Sequence, residues 1–287
     1  MADSQIVEHR ITVGELTFNV AETGSGPPVV MLHGWPDSWH LWEAQMVALA
    51  QSGHRVIAPD LRGFGESDHP DAVEEYSMGK LIGDVAAIMD EFNIDRATLV
   101  GHDWGAALAW LLATFDPERV ERLIVVSVGH PLAFASAGFR QKQLSWYMLW
   151  FQFPGVAEQA FPADDWALFR NWAHEGTARG VDDYMERQIH DLSRPGRLSA
   201  GFNVYRANIS PDSFAGDGRS VDLPPVTCPT MGVWSSGDMA LSEVQMTGSE
   251  RFVSGPWRYE RIEGANHWIP VYASEQLNSL LVDFLAN

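Results

Sequence analysis

The chain lacks most of the marks of secreted, membrane-spanning and nucleic-acid-binding proteins. Its 287 residues include one cysteine, Cys228. No disulfide can close within the chain, and a reducing cytoplasm is the expected compartment. Cys228 lies in "PPVTCPT", a proline-rich approach to a strand, and reads as a structural thiol. Basic residues are scarce: 19 Lys and Arg stand against 38 Asp and Glu, a formal net charge of −19. Such a surface repels nucleic acid and anionic lipid, so neither is an expected partner. It serves a monomer or a homodimer alike. No apolar run approaches the ~20 residues that a membrane helix needs. The opening "MADSQIVEHR" lacks the basic-then-apolar order of a secretory signal. No His/Cys/Asp cluster has metal-ligand spacing. Gly63 and Gly65 in "DLRGFGESD" do not complete a G-x-G-x-x-G fingerprint. No metal and no dinucleotide cofactor is expected.

What is present is ordinary for a globular protein: 46% hydrophobic and 20% charged residues. There are no internal repeats. "EHRITVGELTFNV" alternates as a hairpin turning near Gly14 and Glu15. Then "PPVVMLHG", "HRVIAPD", "ATLVG" and "VERLIVVSV" read as strands. They alternate with helical stretches such as "LWEAQMVALAQSG", "MGKLIGDVAAIMDEFN" and "WGAALAWLLATF". Strand–helix alternation of this kind predicts parallel βαβ units with helices on both faces of one sheet. The rhythm breaks from about Pro131 to Phe214, where the chain is aromatic and helical. It resumes with "TMGVWSSGD" and "WRYERIEGANH". The expected organisation is an α/β core over residues 1–130, a helical cap over 131–215, and the rest of the core over 216–287. "SPDSFAGDGRSVDLPP" is the expected return linker.

The chemistry centres on "GHDWG", Gly101 to Gly105. A strand, a glycine-framed turn and a helix is the setting of the G-x-S-x-G nucleophile elbow, but the middle residue here is Asp103. α/β-hydrolases order nucleophile, acid and histidine along the chain. Asp238 follows the strand of "MGVWSSGD" and His267 follows that of "RYERIEGANH". Each stands where a strand hands over to a loop, where open parallel sheets form their sites. Singly, an Asp after a strand is a helix cap and a lone His is structural. Three in the right order argue for a triad. The N–H groups of Trp104 and of Trp35, in "HGWP", are the candidate oxyanion donors, with a cis bond expected before Pro36. His33 and His102 flank these segments, in support of the site or in simple packing. Trp39, Trp146, Trp150 and Trp268 are candidate walls of an apolar pocket, against a default of core filling.

A carboxylate suits displacement at saturated carbon, where it forms an alkyl ester; at an ester or amide carbonyl it would form an anhydride. His267, oriented by Asp238, can then activate water against that ester. Epoxides and alkyl halides are the two common substrates of this type. "HGWP" with "GHDWGA" resembles the α/β-hydrolase-fold epoxide hydrolases, and the resemblance runs over nearly the whole chain. In that family two cap tyrosines hold and protonate the epoxide oxygen. "SWYMLWFQFPGVAE" resembles the first tyrosine motif and points to Tyr147; "FNVYRAN" resembles the second and points to Tyr205. The resemblance implies hydrolysis of an apolar or aryl epoxide, with water and a small epoxide as the partners. Haloalkane dehalogenases often carry Asn or Glu where Trp35 stands. Fluoroacetate-type dehalogenases carry Arg close after the nucleophile, where Trp104 and Ala107 stand. The alternatives are a haloalkane dehalogenase using the same aspartate, and an inactive hydrolase fold kept as a ligand-binding protein.

Overall fold

The computed structural model describes residues 5–175, 179–215 and 222–286. Its centre is an eight-stranded sheet, in spatial order β1-β2-β4-β3-β5-β6-β7-β8. The strands are β1 (Val7–Val13), β2 (Leu16–Gly24), β3 (Pro28–Leu32), β4 (Arg55–Pro59), β5 (Ala97–His102), β6 (Val120–Val126), β7 (Thr230–Ser235) and β8 (Trp257–Ile262). The predicted hairpin forms the β1/β2 edge, with Val13 opposite Leu16. The β2/β4 pair is antiparallel, and every pair from β4 through β3 to β8 is parallel. β5 is buried at all six positions, as a central strand covered on both faces must be.

Three helices pack on this first part of the sheet: α1 (Glu43–Gln51), α2 (Met78–Glu91) and α3 (Trp104–Phe115). In α2, Leu81, Val85 and Ile88 recur at helical spacing and are buried, together with Asp84 and Met89. Between β6 and β7 the described chain is helical: α4 (Pro131–Ala135), α5 (Phe139–Leu144), α6 (Trp146–Trp150), α7 (Val156–Ala160), α8 (Ala163–Ala173), α9 (Asp183–Ser193), α10 (Arg197–Asn208) and α11 (Asp212–Ala215). The predicted linker therefore begins with a short helix, α11; residues 216–221 of that linker lie outside the described residues. α12 (Glu243–Thr247), α13 (Ile269–Tyr272) and α14 (Ser274–Ala286) complete the chain. Among the described residues no helix is long and apolar enough to cross a membrane.

The spatial order fixes where chemistry can occur. β3, β5 and β6 are neighbours, so the loops after them converge at one end of the sheet. β3 and β6 lie on opposite sides of β5, which gives Asp103 two different flanks.

Candidate active site

Asp103 caps the start of α3 with φ 51° and ψ −121°, a strained conformation for a non-glycine residue. Strain of this kind costs about 1–3 kcal/mol and persists only where the surroundings enforce it. The enforcement is local. A Cβ on Gly105 would lie 2.0 Å from the Leu32 carbonyl oxygen, so only glycine lets α3 press against the end of β3. A Cβ on Gly34 would lie 2.3 Å from Asp103 Oδ1. That close approach lets the Trp35 N–H donate to Asp103 Oδ1 at 2.8 Å. The Trp104 N–H also hydrogen-bonds the Asp103 carboxylate. Both candidate oxyanion donors thus converge on the carboxylate. The Trp35–Pro36 bond is cis.

The other two residues of the predicted order meet Asp103. His267 Nδ1 lies 2.9 Å from Asp238 Oδ2, and its Nε2 lies 3.7 Å from Asp103 Oδ2. Asp238 is oriented in turn, since its Oδ1 accepts from the Ala240 and Leu241 N–H groups, both at 2.9 Å. Burial pulls the His267 pKa down, but Asp238, Asp103 and Asp37 outweigh it and lift it to about 9. Burial raises the Asp103 pKa, opposed by His267 and by the two backbone donors.

Tyr147 and Tyr205 come from separate helices, α6 and α10, and meet with ring centroids 5.9 Å apart. Tyr205 also packs edge-on against Trp104, at 5.0 Å. Burial first, and then the negative charge of Asp103, raise both phenols well above their ordinary value. Both stay protonated through the neutral range and are donors there.

The two flanking histidines brace the site. His33 Nε2 accepts from the Leu61 N–H at 2.9 Å, which leaves its Nδ1 to donate to the Gly34 carbonyl at 2.8 Å. Burial lowers its pKa to about 4, so it is neutral. His102 Nε2 lies 3.0 Å from the His267 carbonyl oxygen and donates to it, which ties the catalytic loop to the end of β5.

A cavity of about 770 Å³ opens beside Asp103. Trp104, Tyr147, Val128, Phe134, Met148 and Leu241 are among its walls. Trp39, Trp146, Trp150 and Trp268, the candidate pocket walls, are not among the residues lining this cavity. The Trp39 indole donates to Glu8. Trp146, 42% exposed, leans on Trp172. Trp150 stacks on Phe161, and Trp268 stacks on His174 at 4.5 Å. Tryptophan fills gaps wherever a large ring fits, so its presence in the sequence does not locate a pocket.

Sequence reasoning passed over Asp37. Its Oδ1 accepts from Tyr184 Oη and Gln188 Nε2, both at 2.6 Å, and its Oδ2 from Trp268 Nε1 at 3.1 Å. It thus joins the loop after β3 to α9 and to the residue following His267. The available signal was an acidic residue directly after "HGWP". Burial outweighs the hydrogen bonds and lifts its pKa to about 7. A carboxyl raised in the folded state adds stability below its unfolded value near 3.8, and this is lost as pH rises through about 7. We therefore expect Asp37→Asn to gain stability relative to the unmodified protein as pH rises from 4 to 8. Urea unfolding of both proteins across that range measures the difference. Buried histidines away from Asp37 titrate alike in both and cancel, whereas His267 loses the share of its raised pKa that Asp37 supplies. A constant difference would contradict the buried, raised carboxyl.

An aspartate in a strained strand–helix elbow, beside a histidine–aspartate pair and two backbone donors, has the layout of a hydrolase site on an α/β sheet. Residues 27–273 match the alpha/beta hydrolase fold family, and the chain belongs to it. It is 42% identical to "Epoxide hydrolase 2" of Siraitia grosvenorii, over 97% of this chain and 98% of that protein. It is 32% identical to "Epoxide hydrolase 4" of Homo sapiens, over 96% of this chain and 77% of that protein. A solved structure described among "novel epoxide hydrolases" of the superfamily "in metagenomes from hot environments" superimposes with a TM-score of 0.83. It is 27% identical and covers 98% of this chain and 99% of that chain.

Proposed function

We propose that the chain is an epoxide hydrolase that converts apolar or aryl epoxides to vicinal diols through an ester of Asp103. One observation carries the reading: a carboxylate nucleophile in a triad shares a cavity with the buried Tyr147, whose ring meets a second buried phenol, Tyr205. The phenols are what separates this site from one built for halide. Similarity to proteins named epoxide hydrolases supports the activity. The helices between residues 131 and 215 act as a cap whose contribution to the chemistry is Tyr147 and Tyr205. With a single cysteine the enzyme suits the reducing cytoplasm.

The protons balance around one charge. At rest Asp103 is ionised and His267, with its pKa near 9, carries a proton at neutral pH. Asp103 attacks one oxirane carbon, the C–O bond breaks, and the oxygen takes a proton from a tyrosine. The ester is neutral, so the charge that raised both phenols and His267 is gone from Asp103. The phenols become better acids as the alkoxide forms. His267 loses a charge that stabilised its proton, gives that proton up to restore the tyrosine, and becomes a base. It then takes a proton from water, and the hydroxide adds to the Asp103 carbonyl. The oxyanion sits between the Trp35 and Trp104 N–H groups. Collapse expels the alkoxide, which takes the proton of the new Asp103 carboxyl. The diol leaves, and ionised Asp103 and protonated His267 are restored.

Styrene oxide and 1-bromobutane test the reading directly. We expect phenylethanediol from the first and no bromide from the second. Bromide without diol would make the chain a haloalkane dehalogenase. No reaction with either would leave a ligand-binding protein.

A further inference from the structure

The two flanks of Asp103 differ. On the β6 side the cavity runs from Asp103 past Val128, Pro131 and Phe134 to Gly138, Ser210 and Asp212, which are exposed. At about 770 Å³ it lies within the roughly 300–1,000 Å³ of small-molecule sites. On the β3 side stands the Trp35 side chain, only 4% exposed. Its indole is enclosed by Phe151, Phe161, Phe169, Trp172, Phe202 and Tyr205, with ring centroids 5.3 to 6.2 Å away. Neither Trp35 nor any of these six rings borders the cavity.

Two further observations show that the indole is wedged there by shape. Trp35 Nε1 is buried without a hydrogen-bond partner, a cost that packing alone has to offset. On α10, a Cβ at Gly201 would lie 2.8 Å from Trp35 Nε1 and Cδ1. Glycine in a helix interior is unfavourable, and here it makes the room that the indole occupies. Space that a substrate could use on the β3 side of the nucleophile is filled by one side chain and its aromatic shell.

We infer that this enzyme selects epoxides substituted at one oxirane carbon only. These are terminal epoxides whose single apolar arm lies along the β6-side cavity, with the unsubstituted CH2 end turned toward Trp35. The inference rests on the epoxide hydrolase reading and names its substrate class. Trp35 is the specificity-determining side chain, while its backbone N–H serves the oxyanion.

Two isomers of equal composition test this: 1,2-epoxyoctane and trans-4,5-epoxyoctane, with styrene oxide beside them. A methylene that a packed wall excludes costs about 10–200-fold in selectivity. The terminal isomer should therefore lead in kcat/KM by about tenfold or more. In Trp35→Leu the ratio of the two isomers should shift toward the internal one. Equal turnover of the isomers by the unmodified enzyme would overturn the inference and leave the epoxide hydrolase reading intact. A folded Trp35→Leu enzyme with an unchanged ratio would overturn the part given to Trp35. The comparison in the unmodified enzyme stands even where the variant does not fold. No reaction with any of the three epoxides would remove the parent reading, and the inference with it.

Discussion

His267→Gln reacts with one epoxide and then stops. Glutamine cannot take a proton from water, so the Asp103 ester has no base to hydrolyse it. Nothing in the attacking step requires the imidazole to be a base: Asp103 is already ionised, and the phenols supply the proton. Intact-protein mass spectrometry after mixing with styrene oxide should show an increase equal to one epoxide, located on the peptide containing Asp103. Steady-state turnover should fall by at least about 10²–10⁴-fold, the usual worth of a positioned general base. Asp238 should behave as an orienting residue. Its two oxygens divide between His267 Nδ1 and two backbone N–H groups, which holds the imidazole with Nε2 toward Asp103. A His267→Gln enzyme that turns over freely, without accumulating adduct, would contradict the assignment.

Loss of both phenols has the opposite signature. Tyr147→Phe with Tyr205→Phe removes the acid but keeps the nucleophile, the base and the packing of both rings. The block falls on the first step, because an epoxide carbon cannot be opened cheaply while its oxygen leaves as a bare alkoxide. We expect turnover to fall by about 10²–10⁴-fold or more, with no ester accumulating. Each single variant keeps one donor and should fall less than the pair. The coupling to Asp103 explains why phenols with such raised pKa values serve here. The charge that raises them is consumed in the step that needs their protons. Near-normal turnover in the double variant would end the acid role. Rapid-quench trapping of the ester in both proteins distinguishes a failure of the first step from a failure of the second.

Local patterns made much of this legible in advance. The β1/β2 hairpin, the buried β5 and the glycine-framed turn at Asp103 are all encoded in a few adjacent residues. The order Asp103, Asp238, His267 could be read because strand ends mark sites in a parallel sheet, whatever lies between them. Tyr147 and Tyr205 were reached through their flanking motifs and not through periodicity. What depends on distant packing was not legible. Asp37 takes its character from Tyr184 and Gln188 on α9 and from Trp268, all far along the chain. The same holds for the walls of the cavity. Four tryptophans were natural candidates, yet the open space runs along Val128, Phe134 and Met148, since the large rings had already filled theirs. The short α11 within a stretch rich in Gly, Pro, Ser and Asp shows the limit of composition as a guide to local structure.

In the proposed reaction Asp103 bonds covalently to the substrate. A single turnover of styrene oxide in H₂¹⁸O, with enzyme in excess, tests it most directly. The oxygen given to the first diol should come from the Asp103 carboxylate and be unlabelled, and ¹⁸O should appear in the peptide carrying Asp103. A first diol that already carries ¹⁸O, with Asp103 unlabelled, would mean that water attacks the epoxide directly and that Asp103 is not the nucleophile.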